Sequence, residues 1–202
     1  MTIAPVALLR PRRGAGLLLA LLLPLLTGCG VNTIPTLEEQ VKGAWAQVQN
    51  QYQRRADLIP NLVETVKGFA QQEKDVLIAV TEARAKVAGT QLPPDVLEDE
   101  EALQRFEQNQ AELGGALGRL LVVVEQYPEL RSNQNFLALQ SQLEGTENRI
   151  AVARRDFVQA VQEYNTEIRT FPGRLWAMVY GAEPKANFAA SPGAEQAPRV
   201  SF

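Results

Sequence analysis

A seven-residue repeat of apolar side chains constrains the fold of this chain more than any other feature. Its first stripe combines two series, Val41, Val48, Leu62, Phe69, Val76 and Ala83 on one position and Trp45, Tyr52, Ile59, Val66, Val80 and Val87 on the other. This spacing places side chains on one face of an α-helix, and a seven-residue period predicts left-handed, coiled-coil-like packing. The stripe crosses Pro60 without a change of phase. We therefore predict one long helix from Thr36, at a Thr-x-x-Glu capping box, with a kink near residues 56–60.

Two further stripes follow the first. One runs through Leu103, Phe106, Leu113, Leu117, Leu120, Val124 and Tyr127, and the other through Phe136, Leu143, Ile150, Phe157, Tyr164 and Phe171. Turn residues separate the stripes: Gly89 to Asp95 before the second, where Asp95 is expected to cap the helix, and Pro128 after it. The chain is therefore predicted to be all-α, an elongated antiparallel up-and-down bundle of three to four long helices.

Three polar residues interrupt the stripes, namely Arg55, Glu73 and Gln110. A charged group at a core position is tolerated only when it is hydrogen-bonded and paired, so we expect these residues to find partners across the bundle. Up-down-up topology would make the first and third long helices parallel, and Arg55 would then lie level with Glu147. The sequence thus predicts an Arg55–Glu147 pair.

Composition excludes several classes of function. The chain has no histidine, one cysteine and a formal net charge of −3, which removes imidazole catalysis, histidine-ligated metals, internal disulfides and the basic excess of a nucleic-acid-binding protein. No Gly-x-Ser-x-Gly or phosphate-binding loop is present. The sequence therefore predicts no catalytic residue, no cofactor, no metal site and no nucleic-acid partner.

The first 29 residues have the order of an export signal. Three arginines precede an apolar run over residues 14–26, and Leu-Thr-Gly-Cys then ends at Cys29. This tetrapeptide resembles a bacterial lipobox, which implies a diacylglyceryl group on Cys29. The alternative is a signal-anchor helix with an incidental cysteine, but Pro24 and the shortness of the run argue against it.

Lipidation at Cys29 would divide the chain into four parts. These are a lipoprotein signal peptide (1–28), a lipidated linker (29–35), the helical bundle (36–181) and an irregular C-terminal tail (182–202). The mature chain would carry 17 basic and 23 acidic residues, so lipid rather than charge would attach it. In Gram-negative lipoproteins, a residue other than Asp directly after the lipidated cysteine permits passage to the outer membrane. By this resemblance, Gly30 would permit it here. We expect a cell-membrane or outer-membrane lipoprotein whose domain faces the periplasm or the cell exterior.

Several segments resemble, in order, the motifs of the LemA family: residues 54–70, 127–140, 146–154 and 164–172. The resemblance covers roughly residues 36 to 180. It implies a membrane-anchored helical bundle that faces away from the cytoplasm, with no established enzymatic activity to carry over. This chain differs from many members in having a lipobox where they have a transmembrane helix.

The candidate partner-contact residues cluster around the expected kink: Arg54, Arg55, Asp57, Pro60, Asn61 and Glu64. Pro60 removes the amide donor of the Ala56 carbonyl, so another group must satisfy that oxygen or the helix must bend. The charges could bind a partner or hold the kink from inside, and the sequence leaves both readings open.

These observations favour a membrane-tethered extracytoplasmic scaffold or interaction module. We expect it to contact the membrane through the lipid on Cys29 and to bind another envelope protein. The alternative is an envelope hydrolase or a regulator of one. A membrane-remodelling bundle would need an exposed apolar face. The apolar segment 175–180 could enter the lipid interface or dock onto the end of the bundle.

Overall fold

The structure, a computed structural model, describes residues 31–90 and 92–188. Its described residues form six α-helices and no strand: α1 (Thr33–Lys67), α2 (Lys74–Gly89), α3 (Glu100–Val124), α4 (Pro128–Arg131), α5 (Gln134–Glu167) and α6 (Gly173–Tyr180). No helix in this part of the chain is both long and apolar enough to cross a membrane. The all-α prediction is confirmed. Cys29 and the signal lie outside the described residues.

The long elements alternate in direction. α1 packs chiefly against α5, and α2 packs against both α1 and α3. The α1–α5 pair is antiparallel, because Trp45 contacts Phe157 near one end while Arg55 reaches Glu147 farther along. α2 and residues 92–98 run back beside α1, and α3 then runs parallel to α1. The result is an up-down-up-down bundle.

The core consists of two clusters with a polar layer between them. The aromatic cluster surrounds Trp45, Tyr52, Phe106 and Phe157, next to the described start of the chain. The aliphatic cluster fills the opposite end with residues such as Ile59, Leu62, Leu113, Leu120, Phe136 and Leu143. Between them lies the polar layer, which is formed by Arg55, Gln110 and Glu147.

The predicted first helix is wrong at both of its ends. It begins at Thr33 rather than Thr36, because Ile34 is buried and Pro35 lies in the first turn, where its missing N–H has no helical acceptor. The Thr36 hydroxyl bonds the Asn32 carbonyl, so there is no capping box. The helix also ends at Lys67, and residues 68–73 form a turn before α2.

The missed turn explains why the seven-residue stripe continued across it. Val66 and Val80 lie fourteen residues apart and both pack in the aliphatic cluster, although they belong to different helices. Phe69, which the stripe placed in the core, is exposed, and Ala70 is buried in its place. The cap of α3 is likewise Asp99 rather than Asp95, since the Asp99 carboxylate accepts from the Ala102 amide.

The chain after α5 folds back onto the bundle. Gly181 ends α6 with a left-handed φ of 62°, a conformation that glycine adopts without steric cost. Residues 182–188, which we call the strap, have no helix but pack on the aromatic cluster. The first residues of the predicted irregular tail (182–202) thus contact the bundle, and residues 189–202 lie outside the described residues.

Two side chains fix the strap to the bundle. The Asn165 carboxamide donates to the Lys185 carbonyl at 2.9 Å and accepts from the Lys185 amide at 2.8 Å. Phe188 packs against Phe157, with 5.0 Å between ring centroids, and lies under the Arg154 guanidinium at 4.0 Å. Burial acts to lower the pKa of Lys185, but Glu98, Tyr164 and Glu38 together raise the pKa above its ordinary value, so the ammonium group stays charged at neutral pH.

Candidate functional site

The polar layer is centred on Arg55, whose relative exposure is only 4%. One guanidinium nitrogen donates to Glu147 Oε1 at 3.0 Å, and the other donates to Gln110 Oε1 at 2.6 Å and to the Gln110 backbone carbonyl at 3.1 Å. The guanidinium carbon also lies 5.0 Å from the centroid of the Tyr52 ring. Arg55 thus joins α1, α3 and α5 through one buried group.

The predicted pairing of Arg55 with Glu147 is confirmed, but the expected parallel orientation is wrong. The turn at residues 68–73 adds a helix, which makes the first and last long helices antiparallel. The two residues meet because each lies near the middle of its helix. The prediction assumed that Val41 of the first helix lies level with Asn133 at the start of the last long helix. In the structure Val41 instead packs in the same cluster as Val161, near the other end of α5.

The other polar interruptions are also paired. Gln110 accepts from Arg55 as described, and Glu73 accepts a 2.8 Å hydrogen bond from the Tyr127 hydroxyl. The carboxylate of Glu73 raises the pKa of Tyr127, because the phenol is more stable than the phenolate beside it. This contact links the turn after α1 to the turn after α3.

The carbonyl that Pro60 leaves without an amide donor is satisfied from another helix. α1 is continuous through Pro60, and Arg84 of α2 donates its Nε–H to the Ala56 carbonyl at 3.1 Å. The Ala56 carbonyl is therefore satisfied from within the bundle by Arg84, a residue that the sequence pattern did not identify. The sequence indicated only that the Ala56 carbonyl needs a hydrogen-bond donor, and it did not indicate that Arg84 is that donor.

The structure divides the six predicted partner-contact residues. Arg55 is in the interior and is not available to a partner. The other five, Arg54, Asp57, Pro60, Asn61 and Glu64, are exposed on the outer side of α1. Asp57 accepts from Gln53 on the same helix at 2.7 Å rather than from an arginine. These five residues form one solvent-facing surface, and partner contact there stays a prediction.

If the Arg84 hydrogen bond to the Ala56 carbonyl stabilises α1 at Pro60, the exposed residues Asp57 and Asn61 should contribute little to the free energy of unfolding. Replacing Arg84 with Met should lower the free energy of unfolding by about 1 kcal/mol, the usual cost of losing one hydrogen bond. Asp57→Ala and Asn61→Ala should each change it by less than about 0.5 kcal/mol, as exposed substitutions do. Thermal unfolding followed by circular dichroism compares the three variants. A larger loss from Asp57→Ala than from Arg84→Met would contradict this assignment.

A groove of about 360 Å³ lies between α1 and α5, next to the exposed α1 surface. It is lined by Ala44, Gln47, Gln51, Asn148, Arg149, Val152, Ala153 and Asp156. The side-chain oxygen of Gln51 is buried and has no hydrogen-bond donor among the described residues. Arg54 follows Gln51 by one helical turn, so the groove and the predicted surface share an edge of α1.

The described residues contain no group of three or more histidine, cysteine or acidic side chains that could hold a metal ion. A partly buried ion pair joins Arg154 to Glu107 at 2.6 Å, and Arg154 also donates to the Tyr52 hydroxyl at 3.1 Å. This contact ties α5 to α3 and α1. Like the polar layer, it joins three helices inside the bundle.

Comparisons with known proteins identify a family and three similar magnetosome proteins. The sequence model of the LemA family matches residues 44–202. Magnetosome protein MamQ 2 and magnetosome protein MamQ 1 of Paramagnetospirillum magneticum are each 28% identical over 177 residues, which is 80% of this chain. The chain spans 65% of the length of each. Magnetosome protein MamQ of Magnetospirillum gryphiswaldense is 38% identical over 68 residues, 34% of this chain and 25% of the relative.

Proposed function

This chain belongs to the LemA family, and we propose that it is a membrane-tethered helical interaction module on the extracytoplasmic side of the bacterial cell envelope. The family and the MamQ relatives indicate a membrane-associated helical protein. In our proposal the tether is a lipid on Cys29, four residues before α1 begins. Such a short linker would hold the bundle against the membrane, and the bundle would act by binding another envelope protein.

One observation carries the binding role, namely the unpaired Gln51 oxygen in the α1–α5 groove. A buried acceptor without a donor costs about 1–3 kcal/mol, so it favours a ligand that brings an N–H group. The groove offers apolar contact at Val152 and opposite charges at Arg149 and Asp156. An amphipathic segment of a partner protein fits this combination of groups.

Site-specific photo-crosslinking in intact cells tests the proposed groove. A photoreactive amino acid at Gln47, which lines the groove, should give a discrete adduct of higher mass after irradiation. The same substitution at Gln108, an exposed glutamine of α3, is the matched control and should give none.

The pattern of adducts decides between the outcomes. Equal adducts at both positions, or none at Gln47, would contradict a binding groove. If mass spectrometry identifies the captured protein as a hydrolase, the chain would be a regulator of that enzyme.

Replacing Cys29 with Ala should separately abolish metabolic labelling with palmitate, and unchanged labelling would contradict the tether.

A further inference from the structure

α6 is a short, mostly apolar helix with one charged residue, Arg174, and one of its faces docks onto the bundle. Gly173 and Ala177 are buried, and Trp176 packs against the aromatic cluster. A Cβ atom at Gly173 would lie 2.3 Å from the Glu167 carbonyl oxygen, so only glycine permits this close approach. The docked face fixes how α6 is oriented on the bundle.

The opposite face of α6 presents large apolar side chains to solvent. Phe171, just before the helix, is 82% exposed, Met178 is 70% exposed and Val179 is 72% exposed, with Leu175 between them at 51%. The third stripe had placed Phe171 in the core, and this prediction is wrong because α5 ends at Glu167 and the chain turns before residue 171. A cluster of exposed apolar residues commonly marks an interaction surface.

The position of this face indicates what covers it. The Tyr180 hydroxyl donates to the Val31 carbonyl at 3.0 Å, so the end of α6 touches the described start of the chain. Cys29 lies two residues before Val31, a distance of at most about 7 Å along an extended chain. An acylated Cys29 would therefore bring the apolar face of α6 to the membrane surface.

We propose that the exposed face of α6, which comprises Phe171, Leu175, Met178 and Val179, inserts into the interfacial region of the lipid bilayer. The inference rests on the proposed tether at Cys29. A helix that lies in the membrane plane buries its apolar face about 5–10 Å into the boundary between headgroups and acyl chains, and the docked face of α6 lets the bundle supply the polar side. Arg169 and Arg174 are exposed nearby and can contact lipid phosphates. The docked face then fixes the orientation of the whole bundle on the membrane.

A fluorescent reporter on the full-length lipoprotein tests this inference. In the Val179→Cys variant, an environment-sensitive dye on the new thiol should shift to shorter wavelength when the protein is reconstituted into vesicles of phosphatidylethanolamine and phosphatidylglycerol. Lipids with a spin label near the headgroup should then quench most of its emission. Val122→Cys is the matched control, because Val122 is a 67% exposed valine at the opposite end of the bundle. Its dye should neither shift nor be quenched.

The outcomes separate the inference from the tether. If the protein sediments with the vesicles but the dye at residue 179 stays aqueous, the tether stands and the α6 inference is wrong. A shifted dye that spin-labelled lipid does not quench would mean that protein covers the face, which also overturns the inference. If the unsubstituted chain takes up dye at Cys29 and does not sediment with vesicles, the tether and the α6 inference both fail.

Discussion

Replacing Arg55 with Leu should lower the melting temperature by about 5–12 °C, which corresponds to roughly 2–4 kcal/mol in a chain of this size. The substitution leaves the buried Gln110 carboxamide without its donor and removes the contact with the Tyr52 ring. Glu147 loses less, because its side chain is half exposed and can be solvated. Thermal unfolding of the purified protein in detergent measures the loss.

Two further variants test the cause of that loss. Replacing Arg55 and Gln110 together with Leu should restore much of the stability, because no unpaired buried polar group remains in the polar layer and the two core clusters become continuous. Glu147→Gln should cost little, since an amide oxygen still accepts from Arg55 and the lost charge is largely screened by solvent. If the double variant is less stable than Arg55→Leu alone, the polar layer itself stabilises the fold and our explanation is wrong.

Replacing Asn165 with Ala should make trypsin cleave after Lys185 about 5- to 150-fold faster. Asn165 makes both backbone hydrogen bonds that hold Lys185, and losing them costs about 1–3 kcal/mol, where 1.4 kcal/mol is a tenfold change in the open population. Proteolysis of a locally opened segment follows that population. Mass spectrometry of the fragment that begins at Ala186 measures the rate.

Asn148→Ala is the matched control for the strap, because it makes the same change on an exposed part of α5. It should leave cleavage after Lys185 unchanged. The far-ultraviolet circular dichroism of the Asn165→Ala variant should also match that of the parent chain, because the strap has no helix to lose. Rapid cleavage of the parent chain at Lys185 would show that Asn165 does not hold the strap.

The contacts that the sequence predicted are those that broke its periodicity. Arg55, Glu73 and Gln110 stood out because each replaced an apolar residue in a regular stripe, and burial of a polar group requires a partner. The identity of the Arg55 partner could be predicted even though the helix direction was wrong, because both residues lie near mid-helix. The orphaned Ala56 carbonyl was predictable for a similar reason, since proline removes a specific donor.

The remaining features lack a periodic signal. The turn at residues 68–73 preserved the heptad phase, so the reversal of chain direction after Lys67 was invisible to the pattern. The strap is held by Asn165, Lys185 and Phe188, which are brought together only by the tertiary fold. The groove depends on the distance between α1 and α5, and the residue pattern of either helix alone does not predict that distance.

The continuity of α1 has a mechanical consequence. This helix of 35 residues is about 50 Å long and runs from near the first described residues to the opposite end of the bundle, beside the antiparallel α5. If, in the proposed arrangement, a partner pulled on the distal end of α5 while Cys29 held the start of α1, the force would act along the two antiparallel helix axes. It would load the Arg55–Glu147 and Tyr52–Arg154 contacts together in shear, rather than peeling them apart one after another. If the proposed tether and partner are correct, a bundle built in this way would transmit tension between them through contacts that resist together.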